Sequence, residues 1–140
     1  MLADITISCP MAALSLELAA ALAERLNVVV PRPLAVRREG TMVNVYNGLH
    51  LEGGTPASEI VDDDDGRFSA ELADVASSAV VNRVQDIVAE ALPEQWPLSA
   101  DGRMALAHTR TDAQLVYIWF GDVDAPVLEL DPISIAELTR

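Results

Sequence analysis

The stretch FSAELADVASSAVVNRVQDIVAEALP, from Phe68 to Pro93, is the most regular part of the sequence. Its apolar residues recur at helical spacing, and polar or charged residues fill the positions between them. Since Pro93 cannot continue a helix, we predict a long helix that opens at Phe68–Ser69, ends before Pro93 and lies across a sheet. The stripe expected to face the core comprises Leu72, Val75, Ala76, Ala79, Val80, Val84, Ile87, Val88, Ala91 and Leu92.

The residues at the start of the chain, MLADITISCP, alternate in a way that predicts a short strand at Ala3–Ser8. Pro10 suits the first turn of a helix, where its missing N–H leaves no hydrogen bond unmade. Cys9 would then be the N-cap. We expect this first helix to run to about Leu26, with Asn27 as its stop signal.

Two turn signals follow the first helix. Glu39–Gly40 is one, and Asn47–Gly48 is the other, because both of its residues tolerate the positive φ of a two-residue hairpin loop. They predict a β-meander from about Leu34 to Glu52 with one polar face. A loop should connect it to the long helix, with a short strand at Glu59–Val61.

After Pro93, the segments RMALAHT, QLVYIWF and PVLEL predict three more strands. The segment LVYIWF, residues 115–120, is apolar on consecutive positions, which indicates burial on both faces, or on one face with a partner on the other. A last helix is expected with Asp131 as its cap and Pro132 at its first position.

These elements define one α+β domain over residues 1–140, an antiparallel β-sheet with helices packed on one face. The order is roughly (β)-α-βββ-α-βββ-α. In element order, size and acidity, though not in any motif, the chain is similar to the small chaperones of bacterial secretion systems and their housekeeping relatives. That resemblance implies a dimeric protein that binds other polypeptides.

The charge of the chain excludes several functions. Its net charge is −13, from 22 acidic and 9 basic residues, and every basic residue is an arginine. Binding to nucleic acid or to an anionic membrane needs clustered cations, so neither is expected, whereas a basic protein partner is allowed. The absence of lysine excludes Schiff-base chemistry, and no phosphate-binding loop, dinucleotide fingerprint, nucleophile elbow or zincin motif occurs. We therefore expect no cofactor.

Four consecutive aspartates, Asp62, Asp63, Asp64 and Asp65, precede Gly66. An EF-hand with this glycine at its sixth position would have Val61 and Leu72 at positions one and twelve, which excludes that motif. Three interpretations are open. The run is a solvated loop before a helix N-terminus, a docking surface for a basic partner, or part of a divalent-metal site. The metal set would be Asp63, Asp65, Asp122 and Asp124.

Other candidate side chains are few. Cys9 is the only cysteine, and a catalytic thiol would need a histidine whose position the sequence does not give. We read His50 and His108 as structural or rim residues. Of the aromatic residues, Tyr117 and Trp119 share one side of their strand, and that side is the better candidate for an exposed, partner-binding face.

We therefore expect a small, acidic, cytoplasmic protein that acts without enzymatic activity, as a chaperone, adaptor or inhibitor. Its partner would be a protein bound by Asp62–Asp65 together with Tyr117 and Trp119, and the chain itself would form a homodimer. One alternative is a carboxylate-based enzyme or a protein that binds a small ligand or a divalent metal. Another is a phage-type structural component.

Overall fold

The computed structural model describes the backbone of residues 2–61 and 67–139, and the side chains of that range from residue 14 onward. Helices and antiparallel strands alternate along the described chain, which confirms the α+β class. The elements are α1 (Leu2–Val29), β1 (Leu34–Glu39), β2 (Met42–Asn47), β3 (His50–Pro56), α2 (Ala70–Ala91), β4 (Ala107–Thr111), β5 (Leu115–Gly121), β6 (Pro126–Glu129), β7 (Ile133–Ser134) and α3 (Ile135–Thr139).

The strands divide between two sheets rather than forming the single sheet drawn from the sequence. The first sheet has the order β1-β2-β3, and the second has the order β4-β5-β6 with β7 beside the other end of β5. The predicted meander is confirmed, and its third strand continues past Glu52 to Pro56. Gly40 and Gly48 supply the positive φ, 63° and 64°, at the two hairpin turns.

The predicted strand at Ala3–Ser8 is wrong, because α1 begins at Leu2 and already contains Cys9 and Pro10. Six alternating residues are a weak signal beside the long alanine- and leucine-rich stretch that follows them. The expected stop at Asn27 is also wrong, since the helix continues to Val29. The Asn27 side chain instead accepts a hydrogen bond from the backbone N–H of Val36 in β1, at 2.9 Å.

The long helix has the predicted bounds. Ser69 is the N-cap of α2, and its Oγ accepts a hydrogen bond from the N–H of Leu72 at 3.1 Å. The buried side is rotated from the predicted stripe, because α2 contacts β3 on one flank and β4 on the other. Leu72 and Val75 are consequently exposed, while Ser77 and Gln85 are buried.

Buried residues from all three helices and from both sheets form one cluster. Leu18, Leu22 and Leu26 of α1 recur at helical spacing and are fully buried. The sheets contribute alternate positions, which is the expected pattern for strands with one face on a core. The largest fully buried side chains from the strands are Val43, Val45, Ile133 and Phe120.

The last helix begins later than predicted. Asp131 and Pro132 lie in a connecting segment, and β7 precedes α3. The cap is Ser134, whose Oγ accepts from the N–H of Ala136 at 3.2 Å, while the carboxylate of Glu137 accepts from the N–H of Ser134 at 3.0 Å. This reciprocal arrangement is a capping box, and it explains why the Asp-Pro signal is not used.

Candidate functional site

The second sheet presents aromatic side chains on the side that faces away from the helices. Along β5, Val116, Ile118 and Phe120 are buried, and the alternate residues between them are half-buried. Antiparallel register places His108 of β4 and Glu129 of β6 on either side of Trp119, and Arg110 beside Tyr117. We call the surface formed by these five side chains, His108, Arg110, Tyr117, Trp119 and Glu129, the outer face.

Two ring contacts organise the outer face. The imidazole of His108 stacks on the indole of Trp119, with ring centroids 5.6 Å apart and an interplanar angle of 28°. The guanidinium of Arg110 lies 4.7 Å from the centroid of the Tyr117 ring, which is cation–π geometry. Side chains of the adjacent strand β4 therefore hold the Tyr117 and Trp119 rings in place.

The indole nitrogen of Trp119 lacks a hydrogen-bond acceptor. Among the described residues, Nε1 of Trp119 and Oγ of Ser77 are the buried side-chain polar atoms without a partner. Buried tryptophan N–H groups usually find an acceptor, and a buried donor without a hydrogen bond costs about 1–3 kcal/mol. The donor is shielded from solvent, so an acceptor from outside the chain would reach it only if the indole turned.

Exposed apolar residues surround the outer face. Leu106 is 59% exposed, Val123 is 68% exposed and Val127 is 40% exposed. Leu106 and Val127 line an open groove of about 750 Å³ that also reaches His108, and Val123 lines a smaller cavity of about 160 Å³ beside Trp119. Together, these three exposed residues extend the outer face into a larger apolar surface.

Charged groups lie among and around these apolar residues. Asp101, Asp122 and Glu129 supply carboxylates to the two concavities, while Arg103 and Arg110 supply guanidinium groups. The pKa of Asp101 is lowered, chiefly because the hydroxyl of Ser99 donates a hydrogen bond to its carboxylate. Both guanidinium groups have partners within the chain: that of Arg103 lies 3.9 Å from the Asp101 carboxylate, and that of Arg110 lies over the Tyr117 ring.

The structure brings together some of the predicted site residues. Tyr117 and Trp119 lie on the same side of β5, as the alternation predicts. Asp122 and Asp124 are exposed in the turn between β5 and β6. The four aspartates Asp62, Asp63, Asp64 and Asp65 lie outside the described residues, so the docking surface and the metal set that include them stay predictions.

The described side chains form no ready-made metal site. Within residues 14–61 and 67–139, no group of three or more His, Cys, Asp or Glu side chains is placed to hold a metal ion. None of the described helices is long and apolar enough to cross a membrane. The pairing of Asp122 and Asp124 with Asp63 and Asp65 falls outside these ranges and stays a prediction.

The two histidines lie in different sheets. His50 begins β3, and its imidazole is 4.0 Å from the carboxylate of Glu52. His108 belongs to β4 and stacks on Trp119. The side chain of Cys9 lies outside the described part of the chain. The stack of His108 on Trp119 could not be predicted from the sequence, because the register between two strands cannot be derived from either strand alone.

Comparison with known proteins finds no match for this chain. The chain matches no protein-family model, no curated protein and no solved structure.

Proposed function

We propose that this protein is a non-enzymatic interaction module that binds another polypeptide through the outer face of its second sheet. The observation that carries the proposal is the pair of half-buried aromatic side chains, Tyr117 and Trp119, bordered by the exposed apolar residues Leu106, Val123 and Val127. The Trp119 N–H is unpaired but shielded from solvent, so a carbonyl or polar side chain of a partner would accept from it only after the indole turned. Aromatic anchors flanked by apolar neighbours are the usual centres of protein–protein interfaces.

The charge of the molecule supports a basic partner. A net charge of −13 attracts cationic polypeptides over a Debye length, which is about 8 Å at physiological ionic strength. The turn beside Trp119 adds the exposed carboxylates of Asp122 and Asp124. Binding should therefore weaken as salt is raised, since rim charges are screened while apolar contacts are not.

The roles of chaperone, adaptor or inhibitor all fit such a module, and so does a homodimer that leaves the outer face free. A cytoplasmic location belongs to the same proposal. The proposal includes no catalytic role, since the two basic side chains of the outer face, His108 and Arg110, lie against aromatic rings.

A pair of matched variants tests the proposal. Val123→Arg places a cation on the outer face, and Val28→Arg makes the same change at a residue of α1 that is 79% exposed. Neither side chain is buried, so both variants should fold. Tagged wild-type and variant proteins are used to capture partners from native lysate, with low-salt and then high-salt washes and identification by mass spectrometry.

We expect one stoichiometric partner that is retained by wild type and Val28→Arg, is lost from Val123→Arg, and elutes at high salt. A partner captured equally by all three proteins would contradict docking on the outer face. A wild-type bait that captures nothing would contradict the interaction module itself.

A further inference from the structure

Among the described residues, β4 pairs with β5 on one edge and with no strand on its other edge. The N–H of Gly121 donates to the carbonyl of Leu106 at 2.9 Å, and the N–H of Asp112 donates to the carbonyl of Leu115 at 3.1 Å. Backbone groups of successive residues in an antiparallel strand point to opposite sides, so the even-numbered residues of β4 face β5. The N–H and C=O groups of Ala107, Thr109 and Thr111 therefore point away from the sheet.

The outer edge of β1 differs, because it is partly closed by hydrogen bonds. On β1, the N–H of Leu34 donates to the carbonyl of Pro31 at 3.0 Å, and the N–H of Val36 donates to the side chain of Asn27 at 2.9 Å. The edge of β4 is closed just before the strand, where the carbonyl of Ala105 accepts from the Gln85 side chain at 2.6 Å. Within the described residues, the three outward N–H groups of β4 have no such acceptor.

Native proteins usually protect an edge strand with proline, a bulge or a covering segment, because an open edge pairs with other chains. The strand AHTRT has no proline and no bulge, and it pairs with β5 in unbroken register. We propose that an extended segment of the partner adds to this edge as a further strand, with its outward side chains continuing the outer face. This inference rests on the proposed function, because it states how the same partner is held.

The neighbours of the edge define the chemistry of the segment. On the helix side, Asp74 of α2 accepts a hydrogen bond from the hydroxyl of Thr111 at 3.0 Å, so this flank of α2 borders β4. Glu71 lies one helical turn before Asp74 on the same flank and is exposed. Side chains of an added strand that point towards α2 thus meet two carboxylates, which favours arginine or lysine there.

On the opposite side, an added strand would lie next to Leu106, His108 and Arg110, and the guanidinium of Arg110 already lies over the Tyr117 ring. Leu106 is 59% exposed, and His108 is part of the stacked row with Trp119. Apolar side chains are favoured on this side. The occupant is therefore an extended segment in which basic and apolar residues alternate, because the side chains of a strand alternate between faces with a period of two.

The probe is a fluorescein-labelled octapeptide of alternating arginine and valine. Thr109→Pro removes one outward N–H without breaking the ladder to β5, since proline is tolerated on an edge strand where its nitrogen faces solvent. Thr109→Val is the matched control, because it removes the hydroxyl and keeps the N–H. Glu71→Gln removes one flanking carboxylate at an exposed position, and it keeps the test open if Thr109→Pro does not fold.

We expect micromolar binding to the wild type by fluorescence anisotropy, and loss of about ten-fold in affinity for Thr109→Pro with little change for Thr109→Val. Glu71→Gln should weaken binding several-fold at low salt. In an amide NMR spectrum, the signals of Ala107, Thr109 and Thr111 should shift and gain protection from exchange when the peptide is added.

Three outcomes would overturn the inference, and they are distinguishable. If the peptide shifts the Trp119 indole signal but not the three edge amides, strand addition is wrong and docking on the outer face survives. If neither set of signals changes, and lysate capture is also unaffected by Val123→Arg, both proposals are wrong. If the edge amides are protected before peptide is added, and Thr109→Pro halves the mass in solution, the occupant is a second copy of this chain.

Discussion

The guanidinium of Arg25 in α1 lies 3.0 Å from the carboxylate of Glu137 in α3, although the two residues are 112 positions apart. The same side chain donates to the carbonyls of Asp131 at 2.9 Å and Pro132 at 3.0 Å. Arg25 therefore fixes the segment between β6 and β7 to the first helix. The carboxylate of Glu137 also accepts from the N–H of Ser134, the N-cap of α3, so one carboxylate serves both contacts.

Arg25→Ala should destabilise the protein by about 2–3 kcal/mol, because hydrogen bonds that involve a charged group are worth about 1.5–3 kcal/mol and the side chain is largely shielded from water. The free energy of unfolding is measured by urea denaturation. Glu24→Ala is the control: Glu24 is 81% exposed and 3.9 Å from Arg25, so its removal should change stability by less than about 0.5 kcal/mol. Equal losses for both variants would contradict a structural role for Arg25.

A second prediction concerns Gln85, a polar residue of α2 that is only 2% exposed. Its Nε2 donates to the carbonyl of Ala105 at 2.6 Å and to that of Trp96 at 3.2 Å, which ties the connector before β4 to the helix. Gln85→Leu leaves buried carbonyls without a donor and should cost about 1–3 kcal/mol, by the same denaturation measurement. Gln95→Leu, the same change at an exposed position, should be nearly neutral; if it costs as much, hydrogen bonding is not the cause.

The bounds of α2 were predictable because local chemistry sets them: Ser69 caps the helix and Pro93 follows its end. The first meander was predictable for a similar reason, since Asn47–Gly48 favours a tight turn whatever surrounds it. The N-terminal strand and the Asp131–Pro132 helix start were wrong. In the second case a capping box three residues further on, held by Arg25 from another element, replaced an equally good local signal.

Only the part of the candidate site that lies within one strand could be predicted from the sequence. Alternation along β5 places Tyr117 and Trp119 on one side, and a period of two can be read from one strand. Their neighbours depend on register and on the number of sheets, so the stack of His108 on Trp119 and the open edge at Thr109 appear only in three dimensions. The same limit explains Leu72 and Val75: helical periodicity finds an apolar stripe, while the positions of two sheets decide which part of it is buried.

The first sheet carries a polar cluster that predicts a pH dependence. The hydroxyl of Tyr46 and the amide of Asn44, the latter at 2.6 Å, both donate to the carboxylate of Glu39. These bonds, that of Tyr46 first, lower the pKa of Glu39 below its ordinary value of 4.5. The bond with Glu39 also raises the pKa of Tyr46 above 10.0. Tyr46→Phe should therefore return the pKa of Glu39 towards 4.5, measured by NMR titration of the side-chain carboxyl.

The directions of these two pKa shifts determine how the stability of the fold changes with pH. A lowered carboxyl pKa stabilises the fold above pH 4.5, and this contribution is lost as the pH falls through the lowered value. A raised phenol pKa stabilises the fold below pH 10.0, and that contribution is lost as the pH rises through the raised value. Tyr46→Phe should flatten the dependence of stability on pH at both ends, whereas Tyr117→Phe on the other sheet should leave the Glu39 titration unchanged. An unchanged Glu39 pKa in Tyr46→Phe would contradict the hydrogen bond.

The last prediction concerns Asn27, whose side-chain oxygen closes part of the edge of β1 by accepting from the N–H of Val36 at 2.9 Å. Asn27→Ala leaves that half-buried donor without a partner, a loss of about 1–3 kcal/mol. Alanine is the better helix former by about 0.6 kcal/mol, which offsets part of the loss in α1. The net effect should be destabilisation by about 1 kcal/mol, with faster hydrogen exchange of the Val36 amide than in the wild type.

Asn27→Asp is the matched control, since it keeps an acceptor oxygen at the same position and lacks the helix-propensity gain of alanine. It should preserve slow exchange of the Val36 amide, because a carboxylate accepts a hydrogen bond at least as well as an amide oxygen. Slow exchange of Val36 in Asn27→Ala would mean that another group protects this edge. Fast exchange in Asn27→Ala alone would show that a residue resembling a helix stop in the sequence serves instead as the acceptor for an edge N–H of β1.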